Sequence, residues 1–152
     1  MQTVTLPTPV FQPQASRAAR IVIAEDDAEL RRIIAGKFRS AGYDIVEIAS
    51  GTMLADFLIV QGGIHEIDAI ISDVRMPGLS GMDMLAYLNA RGHTKPTVLI
   101  TGFGDWSVRR EAESFGALTL FDKPVDVDDL LQFVRQFLPA RVGRIDAPPQ
   151  TT

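Results

Sequence analysis

Three carboxylates in a row, Glu25-Asp26-Asp27, stand directly after the apolar run Ile21-Val22-Ile23-Ala24. Like charges side by side repel, and a fold has no stability reason to collect them where a buried segment stops. A fourth carboxylate, Asp73, follows Ile70-Ile71-Ser72; Thr101 closes Val98-Leu99-Ile100; Lys123 comes just after Leu120-Phe121-Asp122. The set is several oxygen donors, one hydroxyl and one ammonium. Such carboxylates suit Mg²⁺, which takes carboxylate and water oxygens and keeps positions open for phosphate. The ion would neutralise the repulsion. An aspartate beside it can attack a phosphoryl group, because carboxylates serve as covalent nucleophiles. Phosphoryl transfer asks for little beyond positioning and charge neutralisation, which the ion, Lys123 and Thr101 would supply.

These residues can meet only if the elements carrying them end side by side. Five short, β-branched runs, "IVIA", "DIVEI", "IDAIIS", "TVLIT" and "ALTLF", read as buried parallel strands. A helical pattern follows each. The first helix presents Leu30, Ile33, Ile34, Phe38 and Ala41 and stops at Gly42; the second presents Leu54, Phe57 and Leu58 behind Ser50 as N-cap. Ser80 caps a third with Met82, Leu85 and Leu88; a fourth carries Val108, Ala112 and Phe115; Asp126 caps a fifth with Leu130, Leu131, Val134 and Phe137. Five strand-then-helix units predict an α/β domain, a doubly wound five-stranded parallel sheet with helices on both faces. Ligands bind such sheets at the carboxyl ends of the strands, near the switch point. All the reactive residues fall there. The second strand alone ends in nothing reactive; if the other four neighbour one another, their ends share a single cleft.

The bulk numbers narrow the function further. A chain of 152 residues holds one ordinary domain. Its net charge of -4 gives no case for nucleic acid or an anionic membrane surface. The absence of cysteine removes disulfides and thiolate metal sites and fits a cytoplasmic protein. No apolar run approaches the roughly 20 residues of a membrane helix. Residues 1–19 and 139–152, with repeated prolines, are expected to be flexible tails around a domain at 20–138.

Four stretches carry a family resemblance: "EDD" after the first strand, "ISDVRMPGLSG" at the third, "LITG" at the fourth and "FDKP" at the fifth. In this order and at these strand ends they resemble the receiver domain of two-component response regulators, over about Arg20 to Leu138. The resemblance implies a flavodoxin-like fold and a phosphoprotein signalling role rather than an enzyme acting on other substrates. It implies Asp73 as phosphoacceptor, Thr101 as switch hydroxyl and Lys123 as the contact to a phosphoryl oxygen. Mg²⁺ would be held by Asp26 directly, by Glu25 through water, by Asp73 and by the backbone carbonyl of Arg75. Asp27 falls one place past the acidic pair and reads as the cap of the first helix. Lys123-Pro124 is a candidate for the cis bond that the family often has there. A histidine kinase or phosphotransfer protein would donate the phosphoryl group.

Some positions depart from the family or stand outside its pattern. The aromatic residue usual three before the lysine is Leu120 here, with Phe121 on the opposite face, so Thr101 is expected to signal through backbone and Leu120 packing. Arg75 and Phe103 flank the entrance and are expected to slow hydrolysis of an acyl phosphate. His65 and His93 read as solvated and non-catalytic, and Trp106 as packing or partial surface. The 14 residues after Leu138 are too few for a helix-turn-helix, so a stand-alone receiver without direct DNA binding is expected. It would be a monomer or weak dimer, acting through the face of its fourth helix, fifth strand and fifth helix. Val108, Arg109, Arg110 and Glu113 are the exposed candidates on that face. The alternatives are a phosphorylation-independent binding module of the same shape and a receiver fragment of a larger hybrid kinase or regulator. A haloacid-dehalogenase-type phosphatase wants an aspartate where Arg75 stands, and a toprim nuclease wants an acidic pair that "SDVR" lacks.

Overall fold

The five β-branched runs pair side by side in the computed structural model, which describes residues 17–142. In chain order the elements are β1 (Arg17–Ala18), β2 (Arg20–Ala24), α1 (Ala28–Ser40), β3 (Asp44–Ile48) and α2 (Gly51–Ala55). A π-helical turn (Asp56–Val60) extends α2, and a single 3₁₀ turn (Gly63–His65) leads into β4 (Ala69–Asp73). Then come α3 (Gly81–Ala90), β5 (Thr97–Thr101), α4 (Trp106–Ser114), β6 (Thr119–Asp122), α5 (Val127–Phe137) and β7 (Arg141–Val142). The parallel sheet runs β3-β2-β4-β5-β6. Strand order reverses at β2, which has β3 on one side and β4 on the other. The doubly wound, flavodoxin-like α/β fold is the one expected.

Alternation along the strands divides the core between two faces. Ile21, Ile23, Ile71, Val98 and Ile100 meet Ile34 and Phe38 of α1 and Leu130 and Val134 of α5. Val22, Ala24 and Ile70 point the other way, onto Leu54, Leu58, Met84 and Leu88. Leu99 and Leu120 join Met82, Leu85 and Ala112 under α3 and α4. Each large apolar side chain so buried contributes roughly 1.5–3 kcal/mol, which holds the strand ends in place. The capping residues do what their types dictate. Asp27 accepts from the N–H groups of Glu29 and Leu30, Ser50 from Met53, Ser80 from Asp83 and Asp126 from Asp129. Asp105 caps α4 in the same way through Val108.

Structure extends past the expected limits of 20 and 138. Arg17–Ala18 pairs antiparallel with Arg141–Val142, and Ala19 is fully buried with its N–H donating to the Ala140 carbonyl at 2.7 Å. Arg17 clamps Asp68 through two hydrogen bonds of 2.7 and 2.8 Å. Composition reads proline and polarity but not main-chain pairing between two distant segments. Residues 1–16 and 143–152 of the expected tails lie outside the described residues. Among the described residues no helix is long and apolar enough to cross a membrane.

Candidate functional site

Glu25 and Asp26 leave the end of β2, Asp73 is the last residue of β4, Thr101 the last of β5, and Lys123 follows β6. Those four strands are neighbours in the sheet, as the site required, and β3 stands outside them. The register sets Asp73 beside Ile100 and Thr101 beside Asp122. Carboxylate oxygens of Glu25, Asp26 and Asp73 all lie within 4.8 Å of one another. Glu25 and Asp73 are buried, while Asp26 faces solvent.

Lys123 ties the cluster together. Its Nζ lies 2.6 Å from Asp73 Oδ2 and 3.2 Å from Glu25 Oε1. The Asp27 N–H also donates to Glu25 Oε1, at 3.1 Å, and the Arg75 N–H donates to Asp73 Oδ1 at 3.2 Å. The second hydrogen bond brings the Arg75 peptide to the cluster. Glu25 Oε2 is buried without a hydrogen-bond partner among the described residues. Burial, followed by the neighbouring Asp73 carboxylate, pushes the Glu25 carboxyl up to about 7, against the Asp27 N–H and the Lys123 charge. Burial alone would lower the Lys123 ammonium, but its hydrogen bond and charge contacts with Asp73 and Glu25 win and raise it. Three carboxylates, one of them with an orphaned buried oxygen, match what Mg²⁺ takes. The residues fit the ion.

The backbone is shaped to let Asp73 stand here. A Cβ on Gly81 would fall 2.2 Å from the Asp73 carbonyl oxygen, so only glycine lets α3 start this close to β4. The Ser72 hydroxyl donates to the same carbonyl at 3.0 Å. The Lys123-Pro124 peptide is cis. Thr101 is buried, and its Oγ1 accepts the Phe103 N–H at 3.1 Å. Leu120 is buried with Leu99 and Ala112, whereas Phe121 turns to the other face and meets the Phe133 ring edge-on.

Around the mouth, the Arg75 guanidinium sits 5.4 Å above the exposed Phe103 ring. Trp106 is 72% exposed, which places it on the surface, with Arg110 stacked over it. Arg110 and Glu113 are exposed as expected; Val108 and Arg109 are not. Val108 packs from α4 onto the cluster of Leu99, Leu120 and Ala112, and Arg109 is pinned to the Asp122 carboxylate and the Leu120 carbonyl. Val108 shares the apolar face of the helix with Ala112 and Phe115, and Arg109 is drawn in by its contacts with β6. One contact at the site escaped the sequence altogether. The Arg31 guanidinium donates to the Glu25 carbonyl at 2.8 Å, holding the acidic corner from within α1. Its place one turn after Asp27 was the only signal.

A doubly wound α/β domain with an acidic cleft closed by a lysine, beside the strand-order switch, defines the class. Residues 21–135 match the family model of the response regulator receiver domain, and the chain belongs to that family. Over 122 residues it is 25% identical to the sporulation initiation phosphotransferase F of Bacillus subtilis, covering 80% of this chain and 95% of that protein. It is 33% identical over 116 residues to the transcriptional regulatory protein FixJ of Azorhizobium caulinodans, covering 76% of this chain and 53% of that one. The chain thus spans about half the length of that regulator. Among solved structures, the Francisella response regulator 1452 receiver domain superposes with a TM-score of 0.70 at 25% identity, covering 78% of this chain and 94% of that one. A response regulator receiver domain protein from Clostridium thermocellum gives 0.68 at 28%, covering 78% and 92%.

Proposed function

We propose that this chain is a phosphorylatable signalling receiver that takes a phosphoryl group onto Asp73 from a histidine kinase or phosphotransfer protein. The observation that carries the proposal is Lys123 Nζ held between Asp73 and Glu25, with Asp26 completing a carboxylate cluster at the strand ends. An Asp73 carboxylate oxygen attacks phosphorus, the donor's phosphorus–nitrogen bond breaks, and its imidazole leaves. Lys123 then pairs with a phosphoryl oxygen in place of the Asp73 carboxylate. Glu25, Asp26, Asp73 and the Arg75 carbonyl would hold Mg²⁺, which supplies charge neutralisation for the transferring group. Arg75 and Phe103, stacked at the mouth, limit the approach of water to the acyl phosphate.

Phosphorylation adds nearly two negative charges beside Thr101. The buried Thr101 hydroxyl gives up its Phe103 N–H for the phosphoryl group, and the β5–α4 loop follows. The output is a changed surface on α4, β6 and α5, where Arg110, Glu113 and Trp106 are exposed. On this reading the chain works in the cytoplasm, acts on no separate substrate, and signals through a protein partner.

The test is intact mass after incubation with acetyl phosphate, with Mg²⁺ and with EDTA. A single Mg²⁺-dependent phosphoryl adduct is expected on the wild type and none on Asp73→Asn. An absence of adduct from acetyl phosphate and from a histidine kinase alike would leave a phosphorylation-independent binding module.

A further inference from the structure

The chain has only two histidines, His65 and His93, and the fold brings them together. Their ring centres lie 5.8 Å apart at an interplanar angle of 66°. The pair sits at the amino ends of β4 and β5, the opposite end of the sheet from Asp73. Among the described residues neither imidazole hydrogen-bonds or ion-pairs, and the ring contact between the two is the one they make. The sequence shows two isolated solvated rings; the tertiary structure shows a facing pair.

Both rings are carried on fixed backbone. The His65 N–H donates to the Gly62 carbonyl at 3.1 Å inside the 3₁₀ turn, and the next N–H, of Glu66, donates to Gly63 at 2.9 Å. His93 closes α3, its N–H donating to the Leu88 carbonyl at 2.9 Å immediately after Gly92 at φ 77°. That left-handed residue turns the chain so that His93 comes back over the preceding connection. His65 is exposed and His93 half-buried, so an ion has open access.

We infer that His65 and His93 form a two-imidazole site for a divalent transition-metal ion of the Zn²⁺ class. Neutral imidazole suits Zn²⁺, Ni²⁺ and Cu²⁺, whereas Mg²⁺ prefers the all-oxygen cluster at the other end of the sheet. Two imidazoles bound to one ion at about 2.0–2.1 Å have ring centres roughly 5–6 Å apart, so the observed spacing needs little more than ring rotation. Water completes the coordination shell. The ion would clip the connection entering β4 to the one entering β5, far from the acidic cleft.

The experiment is calorimetric titration of tag-free full chain with ZnCl₂ in millimolar MgCl₂, for the wild type, His65→Gln, His93→Gln and Asp26→Asn. One Zn²⁺ per chain is expected, weakened at least about tenfold in either histidine variant because the second ligand acts at high effective concentration. Asp26→Asn should bind as the wild type does. Imidazole nitrogen spectra of the wild type give an independent reading: both rings should shift together over the same equivalent of Zn²⁺. Binding lost only in Asp26→Asn, affinity unchanged in either histidine variant, or one ring titrating alone would each overturn the site.

Discussion

The Lys123 ammonium and the Asp73 carboxylate, 50 residues apart in the chain, stand 2.6 Å from each other. The same nitrogen reaches Glu25 Oε1 at 3.2 Å. One cation therefore balances two buried acids and holds the place that a phosphoryl group or metal would share. Lys123→Met should separate the two roles. Without the ammonium the carboxylates attract Mg²⁺ more strongly, so its affinity rises in a calorimetric titration. Labelling by acetyl phosphate should slow about 10²-fold, the usual loss when one charge-stabilising donor is removed. Wild-type labelling kinetics in Lys123→Met would take Lys123 out of the proposed chemistry.

Thr101→Ala removes a buried hydroxyl whose one described partner is the Phe103 N–H. Stability should fall by about 1 kcal/mol. Asp73 should still be labelled, but the loop before α4 should no longer respond. The chain's single tryptophan, Trp106, begins that helix and is exposed. Its emission should change on phosphorylation of the wild type and stay constant in Thr101→Ala. A change of equal size in both would show that Thr101 is not the coupling group.

Phe103 is 72% exposed yet covered on one side by Arg75. A ring held by a guanidinium at the mouth of the cleft would, on the proposed reading, shield an acyl phosphate from water. Phe103→Ala should therefore lose its phosphoryl group severalfold faster than the wild type, and Arg75→Ala should move the same way. Decay is read by intact mass after removal of the donor. Equal lifetimes would assign the pair to surface packing alone.

Asp68 gives a pH signature at the far end of the sheet. The hydrogen bond from Arg17, opposed by burial and aided by the Arg20 N–H and the charges of Arg17 and Lys95, holds its carboxyl below the usual 3.8. A carboxyl lowered on folding stabilises above its unfolded pKa, and the contribution disappears as pH falls through the folded value. Arg17 is more than half exposed, so solvent screening limits the pair to about 1 kcal/mol. Urea unfolding of Asp68→Asn should show that loss at pH 7 and a smaller difference from wild type near pH 3. A constant difference across this range would mean that Asp68 acts without its charge.

The elements of this protein were legible in the chain because their signals act over a few residues. β-branched runs, the helical spacing of Leu130, Leu131, Val134 and Phe137, and the caps Asp27, Ser50, Ser80 and Asp126 follow from backbone geometry within one or two turns. Glu25, Asp26, Asp73, Thr101 and Lys123 were readable as a group because each sits at a strand end, where a parallel sheet must gather its reactive residues. Strand order was not readable. The partners of β2 depend on the free energy of the whole sheet and on which faces α1 to α5 can cover, and no window of sequence contains that. The bridging of two acids by one lysine followed from that order. So did the capture of Arg109 by Asp122, the pairing of Arg17–Ala18 with Arg141–Val142, and the meeting of His65 with His93. Types and spacing determined which groups this chain could offer; contacts between segments distant in sequence, decided only when the sheet assembled, settled which of them touch.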